Sequence, residues 1–275
     1  MQQDNDAPQY SLGVALSGGG ARGFAHLGAL KALDETGFKP DLLAGVSAGS
    51  VAAVMYAAGL SPEEIIDRFA SAKFSNFTRF SLGKAGLFDL GRFKKFLLDA
   101  IAPYKYLEEL PIPTYVGATD FDHGRSVAFN TGRIGERVIA SCSIPIVFPP
   151  VRIEGTNYVD GGVLRNLPSW IIRPYCSRLI GINCSPLVRE RYNKSLLDIA
   201  LHTYNLMAKA NQAADMEMCD LNVIMPDIAH YKVFNLKQVR SVFISGFGAM
   251  RHALRQADWL EGDVTTTDTS SIIVQ

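Results

Sequence analysis

At 275 residues and 48% hydrophobic content, the chain is long enough to bury a sizeable core and has the composition of an ordinary globular protein, expected as a single domain. Its 27 basic residues balance 27 acidic ones, which excludes a global field drawing it to nucleic acid or to an acidic membrane surface. No apolar stretch approaches the roughly 20 residues of a membrane-spanning helix, and the polar opening MQQDNDAPQY lacks the features of a secretory or mitochondrial leader, so a cytoplasmic protein without a transmembrane segment is expected.

In chain order, the apolar run of residues 12–17 stops at three glycines and predicts a buried strand ending in a turn. Phe24, Leu27, Leu30 and Leu33 recur at helical spacing, which predicts a helix over 21–36 stopped by Gly37. A second strand over 41–44 leads through GVSAGS into a helix of small residues closed by Gly59. Two strand-helix units in succession imply a parallel sheet. Further strands are expected at 114–119, 126–130 and 178–184, and helices at 61–72, 195–218 and 237–259. Together they predict an α/β fold, a three-layer sandwich whose central, mostly parallel sheet is flanked by helices. Residues 1–10 and 262–275 read as tails around a domain at 11–261. Cys142, Cys176, Cys184 and Cys219 show no paired or metal-ligand spacing and read as reduced core residues.

Two local patterns carry chemistry. Gly45-Val46-Ser47-Ala48-Gly49 fits a nucleophile elbow, in which small flanking residues allow a sharp strand-to-helix turn that lifts a serine hydroxyl clear of the backbone. A packing turn with Ser47 as helix cap is the alternative. Ser17-Gly18-Gly19-Gly20-Ala21-Arg22-Gly23 ends the first strand, where bare backbone N–H groups can meet a shared anion. Gly18, Gly20 and Gly23 also satisfy a dinucleotide fingerprint, but Asp41 begins the second strand instead of ending it, so the ribose partner is missing. A serine hydroxyl needs a base. His230 or His252 would serve in an α/β-hydrolase order, although only one strand-helix unit precedes Ser47 here. Asp160, followed by Gly161-Gly162, is the carboxylate candidate, with an ordinary turn aspartate as its plain reading.

Taken together, SGGGARG at 17–23, GVSAG at 45–49 and DGG at 160–162 resemble the patatin-like phospholipase family, with further similarity in ATDFDHGR, ASCSIPIVFPPV and Asn166-Leu167-Pro168. The resemblance covers residues 12–170 and is looser beyond. It implies a lipid acyl hydrolase acting on phospholipid or lysophospholipid esters, with Ser47 as nucleophile and Asp160 as its base. It also implies Gly18, Gly19 and Gly20 as the oxyanion loop, no histidine, and no metal or organic cofactor. Gly45, Gly49 and Gly161 are expected to support the two turns, and Arg22, which matches a basic position of the family motif, to brace the glycine loop, with attraction of an anionic head group as the alternative. A catalytically silent lipid-binding or scaffold protein on the same fold is the alternative outside enzymology.

Other features are weighed differently. Asp120, Asp122 and His123 look like a ligand cluster but read as a hairpin turn, and His26 reads as a core histidine. Residues 68–95 hold seven basic residues against one acidic, interleaved with six phenylalanines. They form either a peripheral membrane-contact surface or a cap over the sheet with its charges in water.

Overall fold

The computed structural model describes residues 8–70, 74–80, 85–186 and 195–260, so the expected tails lie almost wholly outside the described residues. The first strand, β1 (Tyr10–Leu16), is buried from Leu12 onward and ends in a tight turn at Gly20–Gly23. Helix α1 (Phe24–Thr36) therefore starts three residues later than its apolar spacing suggested, because the glycines and Arg22 are held in that turn. Next come β2 (Leu42–Val46), α2 (Ala48–Ala57), α3 (Pro62–Ala70) and α4 (Phe74–Phe77). A small hairpin, β3 (Arg79–Phe80) with β4 (Phe88–Asp89), precedes α5 (Gly91–Ala100). Then follow β5 (Thr114–Asp120), β6 (Arg125–Phe129), α6 (Ile134–Ser141), β7 (Val151–Ile153) and β8 (Thr156–Asp160). The chain continues through α7 (Ser169–Ile172), β9 (Cys176–Asn183), α8 (Leu196–Ala210), α9 (Ala213–Glu217), β10 (Leu221–Ile224) and α10 (Val239–Gln256).

Eight strands form the main sheet in the order β10-β9-β1-β2-β5-β8-β7, with β6 also paired to β5. The strands from β10 to β5 are mutually parallel, whereas β6, β7 and β8 attach by antiparallel pairing. Alternation along β1 separates the two faces. Val14 and Leu16 join a large core with α1, α2 and α10, while Ala15 joins a smaller one with Leu42, Leu167, Ile171 and Leu179. This is the expected three-layer α/β arrangement with a mostly parallel sheet.

Helices α1 and α10 cross at Gly28 and Gly246. A Cβ at Gly28 would strike Phe243 O, and one at Gly246 would strike Ala25 O, so side-chain-free residues are what allow the two backbones to touch.

The helix expected over 195–218 is broken at Asn211 and Gln212. Both side chains are drawn into tertiary hydrogen bonds, Asn211 Nδ2 to Gly162 O at 3.0 Å and Gln212 Nε2 to Ser185 O at 3.0 Å. The hairpin β7–β8 and the strand β10 were not anticipated; they are short, and Glu154-Gly155 turns the hairpin with both residues at positive φ. None of the described helices is long and apolar enough to cross a membrane.

Candidate active site

Register places the glycine run and the elbow side by side, since Leu16 pairs with Gly45 across β1 and β2. Ser47 sits between the last residue of β2 and the first of α2, with φ 52 and ψ −123, a conformation a serine holds only when its surroundings insist. They do insist. Ser141 Oγ accepts from Ser47 N at 2.8 Å and donates to Gly117 O at 2.6 Å. Ser47 O accepts from Ser50 N at 2.9 Å and Ser50 Oγ at 2.7 Å. Gly45 and Gly49 let the turn close, because a Cβ on either would collide with backbone, Gly49 for Gly45 and Leu16 O for Gly49.

Asp160 closes β8 and is fully buried. Its backbone is fixed from both sides, N donating to Ser143 O at 3.0 Å and O accepting from Thr119 Oγ1 at 3.0 Å. The carboxylate is divided. Oδ1 accepts from Gly162 N at 2.8 Å and Tyr204 Oη at 2.9 Å, while Oδ2 is buried without a hydrogen-bond partner. The Ser47 hydroxyl lies close enough to lower the pKa of Asp160, yet no hydrogen bond of ordinary length reaches Oδ2. Burial dominates and pushes Asp160 up to about 6, opposed by the nearby Ser47 hydroxyl and by the hydrogen bonds from Gly162 and Tyr204. Such a group is ionised at neutral pH yet basic enough to accept a proton. Gly161 packs against Gly117 O, where a Cβ would stand at 2.9 Å.

A Cβ on Gly18 would lie 3.3 Å from Ser47 Cβ, which puts the glycine run against the serine. The three glycines are not equivalent. Gly18 N donates to Asn166 O at 3.2 Å, so its N–H is already used, whereas those of Gly19 and Gly20 have no partner among the described residues. Arg22 is buried, with Nε donating to Tyr231 O at 2.9 Å and Nη2 to Ala229 O at 2.8 Å, and Ala21 N donates to Val233 O at 2.7 Å. The turn is thereby tied to residues 229–233.

An apolar cavity of about 150 Å³ opens beside Ser47 and the glycine turn, walled by Leu27, Val51, Ile65, Phe69, Phe77 and Phe148 among others. The segment 68–95 supplies much of that wall. Phe69 and Phe77 are buried and meet edge-on or tilted rings of Phe24 and Phe93, while Phe80 stays 59% exposed. Arg68, Arg79, Arg92 and Lys95 face water; Lys73 and Lys84 lie outside the described residues. Phe69 and Phe77 are thus packed inward, whereas Phe88 and Phe93 are half-buried.

Among the described residues no histidine lines this cavity. His252 borders a separate groove between β10 and α10, and His230 lies against the ring of Tyr231. His26 is buried beneath the glycine run, its Nε2–H donating to Ser17 O at 2.8 Å, and burial lowers it to about 4, so it is neutral. Asp41 accepts from Ser11 N and Leu12 N, both at 3.1 Å, at the end of the sheet remote from the glycines. Asp120 accepts from His123 and Arg125 in the β5–β6 turn, and Asp122 from Asn157. All four cysteines are free thiols.

Tyr204, Ser141 and Asn166 complete the site and were not singled out for it beforehand. Asn166 stood in a quoted motif without a role, and nothing local marks Tyr204 within its helix.

The sequence profile described as Patatin-like phospholipase matches residues 14–171, more than half of the chain, including Ser47, Asp160 and the glycine run but not the α8 residues or the 229–236 segment. The chain belongs to the patatin-like phospholipase family. Patatin-like relatives include an uncharacterized NTE family protein of Mycobacterium tuberculosis, 35% identical over 60% of this chain and 45% of its own length. Lysophospholipase NTE1 of Mycosarcoma maydis is 31% identical over 58% of this chain and 9% of its own length. The chain thus spans less than half the length of these curated relatives. The fold is similar to that of VipD from Legionella pneumophila, with a TM-score of 0.51 at 14% identity, covering 91% of this chain and 68% of that one.

Proposed function

We propose that this patatin-like chain is a serine acyl hydrolase that cleaves lipid acyl esters, phospholipid or lysophospholipid, through Ser47 and Asp160. The observation that carries the reading is the buried, unpartnered Oδ2 of Asp160 beside a strained Ser47 at the head of an apolar cavity. Asp160 takes the proton of Ser47 Oγ, and Oγ attacks the ester carbonyl carbon. The ester C–O bond then breaks, and the departing alcohol takes the proton back from Asp160. Water next attacks the acyl-enzyme and gives a proton to Asp160; Ser47 Oγ leaves, recovers that proton, and the fatty acid is released. In both steps the negative oxygen meets the N–H groups of Gly19 and Gly20, with Gly18 anchoring the loop to Asn166. The acyl chain lies along Phe69, Phe77 and their neighbours. Arg22 acts as a brace for the glycine turn, since its guanidinium donates to the carbonyl groups of Tyr231 and Ala229. No metal or organic cofactor enters this chemistry. Exposed Phe80 with Arg79 and Arg92 offers an edge for peripheral contact with anionic lipid, and a cytoplasmic setting suits such an enzyme.

Hydrolysis of a medium-chain p-nitrophenyl ester and of a phospholipid by wild type, Ser47→Ala and Asp160→Asn tests the reading, with folding followed in parallel. Each substitution is expected to lower turnover by roughly 10⁴-fold or more. An inert wild type, or a folded variant that keeps its activity, points to a silent binder or to another nucleophile.

A further inference from the structure

The base of this site is held from a distance. Tyr204 belongs to α8, 44 residues beyond Asp160, and donates its hydroxyl hydrogen to Asp160 Oδ1 at 2.9 Å while only 8% exposed. The surroundings are shaped for that phenol. Gly162 has no side chain, and a Cβ there would collide with the Tyr204 hydroxyl oxygen. At the end of the same helix, Asn211 donates to Gly162 O at 3.0 Å and accepts from Asn166 N at 3.0 Å, which clamps α8 onto the turn that follows Asp160. Ala208, one turn beyond Tyr204, is buried with it among Ile144 and Phe148 of the cavity wall. Burial and the adjacent carboxylate keep the phenol well above its usual ionisation range, so it remains a donor throughout the neutral range.

Resting on the Ser47–Asp160 reading, we propose that Tyr204 is a positioning residue for acyl transfer, fixing the Asp160 carboxylate so that Oδ2 is the oxygen presented to Ser47. With Gly162 N and Tyr204 both on Oδ1, turning the carboxylate out of this plane would break two hydrogen bonds, so one oxygen is held by both donors while the other stays free of partners. A hydrogen bond to one oxygen also favours the ionised form of a buried acid. Tyr204 itself takes no proton; the transfer runs from Ser47 Oγ to Asp160 Oδ2.

The test is Tyr204→Phe, which keeps the ring beside Gly162 and removes only the hydroxyl. Ester hydrolysis by the full chain is followed from acidic to neutral pH, with Ser47→Ala and Asp160→Asn as controls. Loss of one hydrogen bond to a charged group predicts a kcat lower by roughly 10- to 100-fold at little change in KM. The acid limb of kcat/KM is expected to move upward by about one pH unit or more. Gly162→Ala, which crowds the phenol from the other side, is expected to move the limb in the same direction and serves if Tyr204→Phe does not fold. A folded variant with wild-type kcat overturns the proposal, and so does a reduced kcat whose acid limb has not moved, because general loosening would not select the ionisation of Asp160. An inert wild type or an active Asp160→Asn removes the dyad reading and this inference with it. Active wild type, inactive Asp160→Asn and unaltered Tyr204→Phe remove the inference alone.

Discussion

The two halves of the candidate active site are built on different terms. The half carrying Ser47 is made of chain neighbours, β1 with its glycine turn and β2 with its elbow, packed until backbone meets backbone at Gly45 and Gly49. The half that surrounds Asp160 and the cavity is gathered from four stretches of chain, around Phe69–Phe93, Cys142–Phe148, Tyr204–Asn211 and Val233–Leu236. The first half sets the position of Ser47, the proposed nucleophile, with almost no freedom. The second sets how basic the aspartate is and the shape of the apolar cavity beside it, and it does so through side chains.

If that contrast is right, a single methyl on the rigid half should act through stability. Gly49→Ala puts a Cβ against Leu16 O and is expected to cost about 2–4 kcal/mol in denaturant unfolding. A change at the aspartate should work the other way. Asp160 is raised to about 6 in the folded protein, whereas an unfolded aspartate titrates near about 3.9. A carboxyl with a raised folded pKa contributes its stability below the unfolded value, and that contribution is lost as pH rises through about 6. Asp160→Asn is therefore expected to be more stable than wild type above pH 6 by about 2–3 kcal/mol, with the gain gone below about pH 4. Unfolding curves at two pH values decide it, and an unchanged difference between them would mean the carboxyl is not held as described.

Ser141→Ala sharpens the comparison further, because it leaves Ser47 N and Gly117 O without their shared partner; a loss of about 1–3 kcal/mol is expected from thermal or chemical unfolding. The smallest effect belongs to the outer wall. Phe80→Ala is expected to change stability by less than about 0.5 kcal/mol while weakening adsorption to anionic liposomes, and equal adsorption by both proteins would place lipid contact elsewhere.

The same contrast explains what could be read in advance. The strand-helix units at the start were legible because their apolar runs, glycines and elbow are contiguous. Ser47 and the glycine run stood out for the same reason. What local pattern missed depended on distant partners. Gly18 looked like a donor equal to Gly19 and Gly20 until Asn166, far along the chain, was seen to occupy its N–H. Tyr204 is one residue of an amphipathic helix, and its meaning comes from Asp160 and from the space over Gly162. The phenylalanines of 68–95 were visible as a group, yet only packing separates Phe69 and Phe77, which line the cavity, from Phe80, which faces water.

The crossing of α1 and α10 at Gly28 and Gly246 has a consequence for biosynthesis. The first described helix closes on the last one described, and β1 has β9 as one of its two neighbours, so β1 and α1 each gain a major packing partner only when distant, later stretches of the chain have been made. Such long-range closure slows folding and leaves early strands uncovered during synthesis. A chain cut before Val239 is therefore expected to expose β1 and α1 to protease, whereas the full chain protects them; equal resistance of the two would show that the N-terminal units fold without waiting for α10.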